Sequence, residues 1–76
     1  MFYRDRIEID PAICSGKPVI RGTRILVTSI LSQLAAGAPF DAIRRGFPGL
    51  TDDDIKAAIE FAKQSVEATE LAALRD

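Results

Sequence analysis

Ile7-Glu8-Ile9-Asp10 alternates apolar and polar residues, which predicts a short strand with one buried face. Asp10-Pro11 ends it, because the proline ring disfavours helix at the residue before it and the pair suits a turn. Cys14-Ser15-Gly16-Lys17-Pro18 is a second breaker cluster. Val19-Ile20 and Ile25-Leu26-Val27 are short aliphatic runs on either side of Arg21-Gly22-Thr23-Arg24. This reads as short strands joined by a tight turn in which Gly22 takes positive φ at little cost.

The period lengthens near Thr28. Ile30, Leu31, Leu34 and Ala35 follow the spacing of one helix face, with Gly37 as the C-terminal stop and Pro39 beyond it. Phe40 to Arg45 reads as a short helix ended by Gly46, and Phe47 and Leu50 around Pro48-Gly49 are expected to point inward. Thr51-Asp52-Asp53-Asp54 is the clearest helix start. Thr51 can cap the exposed amides, and three carboxylates suit the positive end of the helix dipole. Asp54 stands where a capping box usually has Glu or Gln, so the box is imperfect. Ile55, Ala58, Ile59, Ala62 and Val66, with Phe61 at their flank, predict a core-facing stripe. Ala68 to Leu74 can continue the helix to about 20 residues, roughly 30 Å. That outruns so small a body, so Leu71 and Leu74 need a partner or stay exposed. The whole reads as one mainly α domain: a β-hairpin region (1–27), a helical body (28–66) and a C-terminal extension (67–76).

Composition narrows the function. A chain of 76 residues buries only about 60% of its unfolded surface, so stability is marginal unless a disulfide, metal or partner adds to it. Cys14 is the one cysteine and there is no histidine, so neither an internal disulfide nor an ordinary zinc site can form. Self-association or a protein partner is the remaining expectation. Hydrophobic residues at 47% and charged residues at 28% are values of a globular chain. Met1-Phe2-Tyr3-Arg4-Asp5-Arg6 has no apolar signal core. The uncharged run Ile25 to Phe40 is interrupted by Thr28, Ser29, Ser32 and Gln33 and is too short to span a bilayer. The expected compartment is the cytoplasm. There is no serine nucleophile motif and no glycine-rich phosphate loop; Gly16-Lys17 has the wrong spacing and runs into Pro18. No enzymatic activity, cofactor or metal is expected. The net charge of −1 conceals an asymmetry, with a balance of +2 over residues 1–24, +1 over 25–51 and −4 over 52–76. A basic front and an acidic back favour steered contact with charged macromolecules or head-to-tail pairing, although a solvated surface can carry the same unevenness.

Several residues invite chemistry. Arg21 and Arg24 flank the Gly22-Thr23 turn with Lys17 nearby. They can grip phosphate or carboxylate in bidentate fashion, or brace the turn through Asp10, Glu8 or free helix-end carbonyls. Thr23 suits local backbone bonding, since no base is at hand to activate it. Cys14, in an apolar context, reads as a small buried hydrophobe. Asp52, Asp53 and Asp54 point in different directions on a helix, which suits capping and solvation and not metal binding.

The segment Gly16-Lys17-Pro18-Val19-Ile20-Arg21-Gly22-Thr23-Arg24-Ile25, preceded by Asp10-Pro11-Ala12-Ile13, resembles a widespread prokaryotic family of small domains long labelled as of unknown function. Its members carry a signature like D-P-x-I-x-x-G-x-P-x-I-x-G-T-R-I. Leu34 to Gly37 and Phe47 to Ala58 also look like that family. The resemblance implies an N-terminal β-hairpin and a three-helix, homeodomain-like or helix-turn-helix-like body, often dimeric. Some members are regarded as VapB-type antitoxins encoded beside a PIN-like toxin. Pro39 departs from the pattern, where relatives often place a capping Ser or Thr; the start of the middle helix is expected to be shifted or weakened.

Two functions follow as expectations. The first is a non-enzymatic, homodimeric antitoxin-like protein that neutralises a PIN-like ribonuclease, with Arg21, Arg24 and Arg75 competing for metal-binding carboxylates and Leu71 and Leu74 forming a docking arm. The second is a DNA-binding regulator, alone or within an autoregulating complex, using Arg4, Arg6, Lys17, Arg21, Arg24, Arg44 and Arg45. The acidic start of the last helix would repel phosphate, so that helix is a poor reader of bases. A dimeric scaffold without nucleic acid is the third option.

Overall fold

The computed structural model describes residues 5–74, with side chains up to Glu70. Two strands, β1 (Ile7–Glu8) and β2 (Val19–Ile20), precede three helices, α1 (Val27–Ala35), α2 (Phe40–Gly46) and α3 (Asp52–Leu74). The architecture is mainly helical with a short antiparallel hairpin, as the sequence pattern predicts.

The strands pair Ile7 with Ile20 and Glu8 with Val19. Ile7 and Ile20 form a non-hydrogen-bonded pair, because the amides of Ile20 and Arg21 bond alternately to Ile25 on one side and Arg6 on the other. The Ile7 carbonyl therefore faces away from β2. The Arg21 guanidinium fills that side: Nε donates to the Asp5 carbonyl at 3.0 Å and an Nη donates to the Ile7 carbonyl at 3.3 Å. The expected third run is shorter than predicted. Leu26 contributes a single bridge to Val19, and Val27, fully buried, is already the first residue of α1. A β-branched residue carries no helix veto when its side chain fills the core.

Ile7, Ile20, Val27, Ile30, Ile43, Leu50, Ile55, Ala57 and Ala58 form one buried cluster, with Ile25, Leu31, Leu34, Phe40, Phe47 and Phe61 packed on it. Leu50 is buried and Phe47 half-buried, so both point inward as the loop pattern predicts. α1 ends on Gly37 at φ +88°, whose amide bonds the Leu34 carbonyl while the Ala38 amide bonds Gln33, a Schellman closure. α2 starts at Phe40 despite Pro39, which supplies no side-chain cap; the Pro39 carbonyl accepts the amides of Ala42 and Ile43.

The α3 stripe is rotated from the predicted one. Ile55, Ala57 and Ala58 are buried and Phe61 packs against them, but Ile59 is 41% and Val66 57% exposed. The body ends before the helix does: every described side chain from Ser65 to Glu70 is exposed. Twenty-three residues give α3 a length of about 34 Å. The radius of gyration, 13.2 Å, exceeds the roughly 11 Å of a spherical domain of this length.

Candidate functional site

The chain between β2 and α1 closes on Gly22. The Thr23 amide bonds the Ile20 carbonyl at 3.0 Å with Gly22 at φ +78°, the conformation a type II turn requires at this position. A Cβ at Gly22 would meet no neighbour, so glycine is needed there for its φ alone. Thr23 ties the turn twice: its hydroxyl donates to the Ile20 carbonyl at 2.7 Å and accepts the Ile25 amide at 3.0 Å. Both bonds are local, which is the backbone role expected of this threonine.

Facing the turn is the β1–β2 loop. Cys14, Ser15 and Gly16 all take positive φ (49°, 58° and 83°), a left-handed turn closed by the Gly16 amide on Ile13 and the Lys17 amide on Cys14. The Asp10 carboxylate accepts the Ala12 amide and starts this loop. Cys14 is half-buried, not buried as its context suggests, because the left-handed backbone turns it toward the loop edge beside the Arg24 carbonyl. Between loop and turn lies an open groove of about 370 Å³ lined by Glu8, Ile13, Gly22, Thr23 and Arg24.

The candidate cations separate into engaged and unengaged. Arg6 bonds the buried carboxylate of Asp54 at 3.0 Å and reaches Asp53 at 3.5 Å. Arg44 pairs with Asp52, and Arg45 with Asp41 one turn back at 2.8 Å. The Arg45 hydrogen bond, against a smaller opposing effect of desolvation, lowers the Asp41 pKa below the ordinary aspartate value. Arg21 braces β1 through the backbone carbonyls of Asp5 and Ile7. Arg24 and Lys17 are exposed, and among the described residues their side chains have no hydrogen-bond or ion-pair partner. Arg24 stands on the groove wall, where its guanidinium can grip a carboxylate or phosphate brought in from outside. Arg4 and Arg75 lie outside the described residues, as do the side chains of Leu71 and Leu74 on α3. Of the other groove walls, Ile13 closes the D-P-x-I run of the signature, whereas only the strand alternation, which sets it on the face opposite Ile7, hints at Glu8.

The three aspartates at the start of α3 are engaged in folding. The Thr51 hydroxyl accepts the Asp54 amide at 3.1 Å, and the Asp54 carboxylate accepts the Thr51 amide at 3.0 Å. The box expected to be imperfect is fully reciprocal, with Asp in place of Glu. Among the described residues no three His, Cys, Asp or Glu side chains are placed to hold a metal ion. None of the described helices is long and apolar enough to cross a membrane.

The model of a family described as a protein of unknown function, DUF433, matches residues 7–62. The chain belongs to the DUF433 family. That match runs from β1 through the core-facing turns of α3 and stops where α3 leaves the body. A crystal structure of a DUF433 member from Anabaena variabilis superposes with a TM-score of 0.76 at 33% identity, covering 91% of this chain and 68% of that one. The uncharacterized protein y4eO of Sinorhizobium fredii is 32% identical over 60 residues, which are 79% of this chain. The match spans about a quarter (27%) of the length of that curated relative. The DUF433 unit is thus similar to part of a longer polypeptide.

Proposed function

We propose that this DUF433 protein is a non-enzymatic, cytoplasmic binding module, antitoxin-like, that works as a homodimer and neutralises a PIN-like ribonuclease. The observation that carries the reading is Arg24. It is exposed on the wall of an open groove and has no hydrogen-bond or ion-pair partner among the described residues, whereas Arg6, Arg21, Arg44 and Arg45 are each engaged within the chain. PIN-like sites hold divalent metal on clustered carboxylates. A guanidinium presented on a rigid turn competes for those carboxylates with two parallel hydrogen bonds. Glu8 across the groove and Ile13 beside it add a charge of opposite sign and an apolar floor, which suits a protein surface better than a uniform polyanion. The partner class is what the family resemblance implies, since some members are regarded as VapB-type antitoxins.

DNA binding draws less support. Three of the seven cations assigned to it bind aspartates of this same chain, and two of those, Arg6 and Arg44, are held by the aspartates at the start of α3, the helix that would enter a groove.

The test is co-expression with a PIN-like nuclease encoded beside this protein, pull-down, and a ribonuclease assay. The wild type forms a complex and silences the nuclease. Arg24→Ala folds normally, since its side chain supports nothing internal, and loses inhibition. Full inhibition by Arg24→Ala, or failure of the wild type to bind, overturns the reading.

A further inference from the structure

The helix α3 carries an apolar line that the body covers only at its start. Ile59, Ala62, Val66 and Thr69 recur at intervals of three and four residues, so they share one stripe, which continues from the buried Ile55 and runs off the side that buries Ala57 and Ala58. Ile59 and Val66 are two of the three large hydrophobics that stand exposed among the described residues. The Thr69 hydroxyl is spent on the Ser65 carbonyl of its own helix at 3.1 Å, which leaves its methyl to the stripe. A free helical arm of this length is marginal in water unless an apolar face is packed.

The flanking charges indicate what packs it. Lys56 lies beside the stripe near its start and Glu70 beside it near its end. Both are exposed, and neither has an ion-pair partner among the described residues. A second copy laid antiparallel, with the two-fold axis near Ala62 and Lys63, sets Ile59 of each chain against Val66 of the other. The same register brings Lys56 opposite Glu70, twice, by symmetry. A parallel pair would gather both Lys56 at one end and both Glu70 at the other, on opposite flanks, without this pairing. Ala62, small and at the centre, lets the backbones approach closely.

We propose that two copies associate through an antiparallel α3–α3 contact along Ile59, Ala62, Val66 and Thr69, registered by Lys56 and Glu70. This rests on the homodimer of the reading above and assigns its surface. It does not depend on the groove or the nuclease, and a readout without nuclease separates the two.

Sedimentation velocity of the full chain across micromolar to submillimolar concentration is the primary measurement. The wild type dimerises. Ile59→Lys with Val66→Lys stays monomeric with unchanged circular dichroism, since both side chains are exposed. Lys56→Glu raises the dissociation constant by about tenfold, and Lys56→Glu combined with Glu70→Lys restores it. In a Cys14→Ser background, an Ile59→Cys protein cross-links on oxidation with a Val66→Cys protein, and neither cross-links with itself. A wild type that remains monomeric throughout, a dimer indifferent to Ile59→Lys with Val66→Lys, or cross-linking of either cysteine variant with itself overturns the proposal. Loss of nuclease inhibition by Arg24→Ala with the dimer intact leaves this contact standing and assigns the groove separately.

Discussion

Replacing Asp54 by alanine tests how the N-terminal strand is fastened to the last helix. Asp54 is 8% exposed and holds two partners at once: the Thr51 amide at 3.0 Å and the Arg6 guanidinium at 3.0 Å, 48 residues away in sequence. Removing the carboxylate leaves the Thr51 amide without its acceptor, which costs about 1 kcal/mol as the loss of a cap. It also strips Arg6 of its closer and better-shielded anion. A charge-assisted bond of this kind is worth roughly 1.5–3 kcal/mol, discounted here because the Arg6 side chain is 36% exposed. Together the loss is about 2–3 kcal/mol. For a chain of this length the whole stability is of order 4–11 kcal/mol. Asp54→Ala should therefore lower the melting temperature by about 10–20 °C. Thermal and urea denaturation followed by circular dichroism measure the shift and the free-energy loss, with Asp53→Ala as the control. Asp53 is 55% exposed and 3.5 Å from Arg6, so its removal should cost no more than about 0.5 kcal/mol. A double-mutant cycle between Arg6→Ala and Asp54→Ala should return a coupling of about 1–2 kcal/mol. Equal stability of the Asp54→Ala and Asp53→Ala proteins would refute the fastening.

Two further predictions concern the backbone and the surface. Ser15 sits at φ +58°, ψ +31°, where an L side chain is strained and glycine is not, so Ser15→Gly should stabilise the fold by about 0.5–1 kcal/mol despite a looser unfolded chain; the urea midpoint reads it. Asp41 has its pKa lowered by Arg45, so the favourable contribution of that pair is in place above the ordinary aspartate pKa and is lost as pH falls through the depressed folded value. A carboxyl titration followed by NMR should place the Asp41 midpoint below that of a free aspartate, and Arg45→Gln should raise it toward the ordinary value.

Much of this fold is legible in residue order because the local signals agree. Gly37 with Pro39, Gly22 in its turn and Thr51 before three aspartates each announce a backbone event that the structure contains. What escapes is set by partners distant in sequence or by the size of the body. Nothing near Asp54 marks it for burial; Arg6 does, and Arg6 is on another element. Val27 reads as strand because β-branching is a local preference, and packing overrides it. Ile59 and Val66 read as core because periodicity reports hydrophobicity and not the extent of what lies opposite. The left-handed turn at Cys14-Ser15 carries a glycine at its third position only. The candidate site was half visible: Arg24 stands out beside a glycine turn, whereas Glu8 and Ile13 join it through the path of the β1–β2 loop.

The Arg21 side chain gives the hairpin a property that a two-stranded sheet otherwise lacks. Outward-facing carbonyls on a border strand are a template on which a foreign strand can add, the first step toward fibrous growth. Here one guanidinium lies along that border and occupies the acceptors of Asp5 and Ile7. A single cation thus stands in for a third strand along that border and closes part of the two-stranded sheet to recruitment.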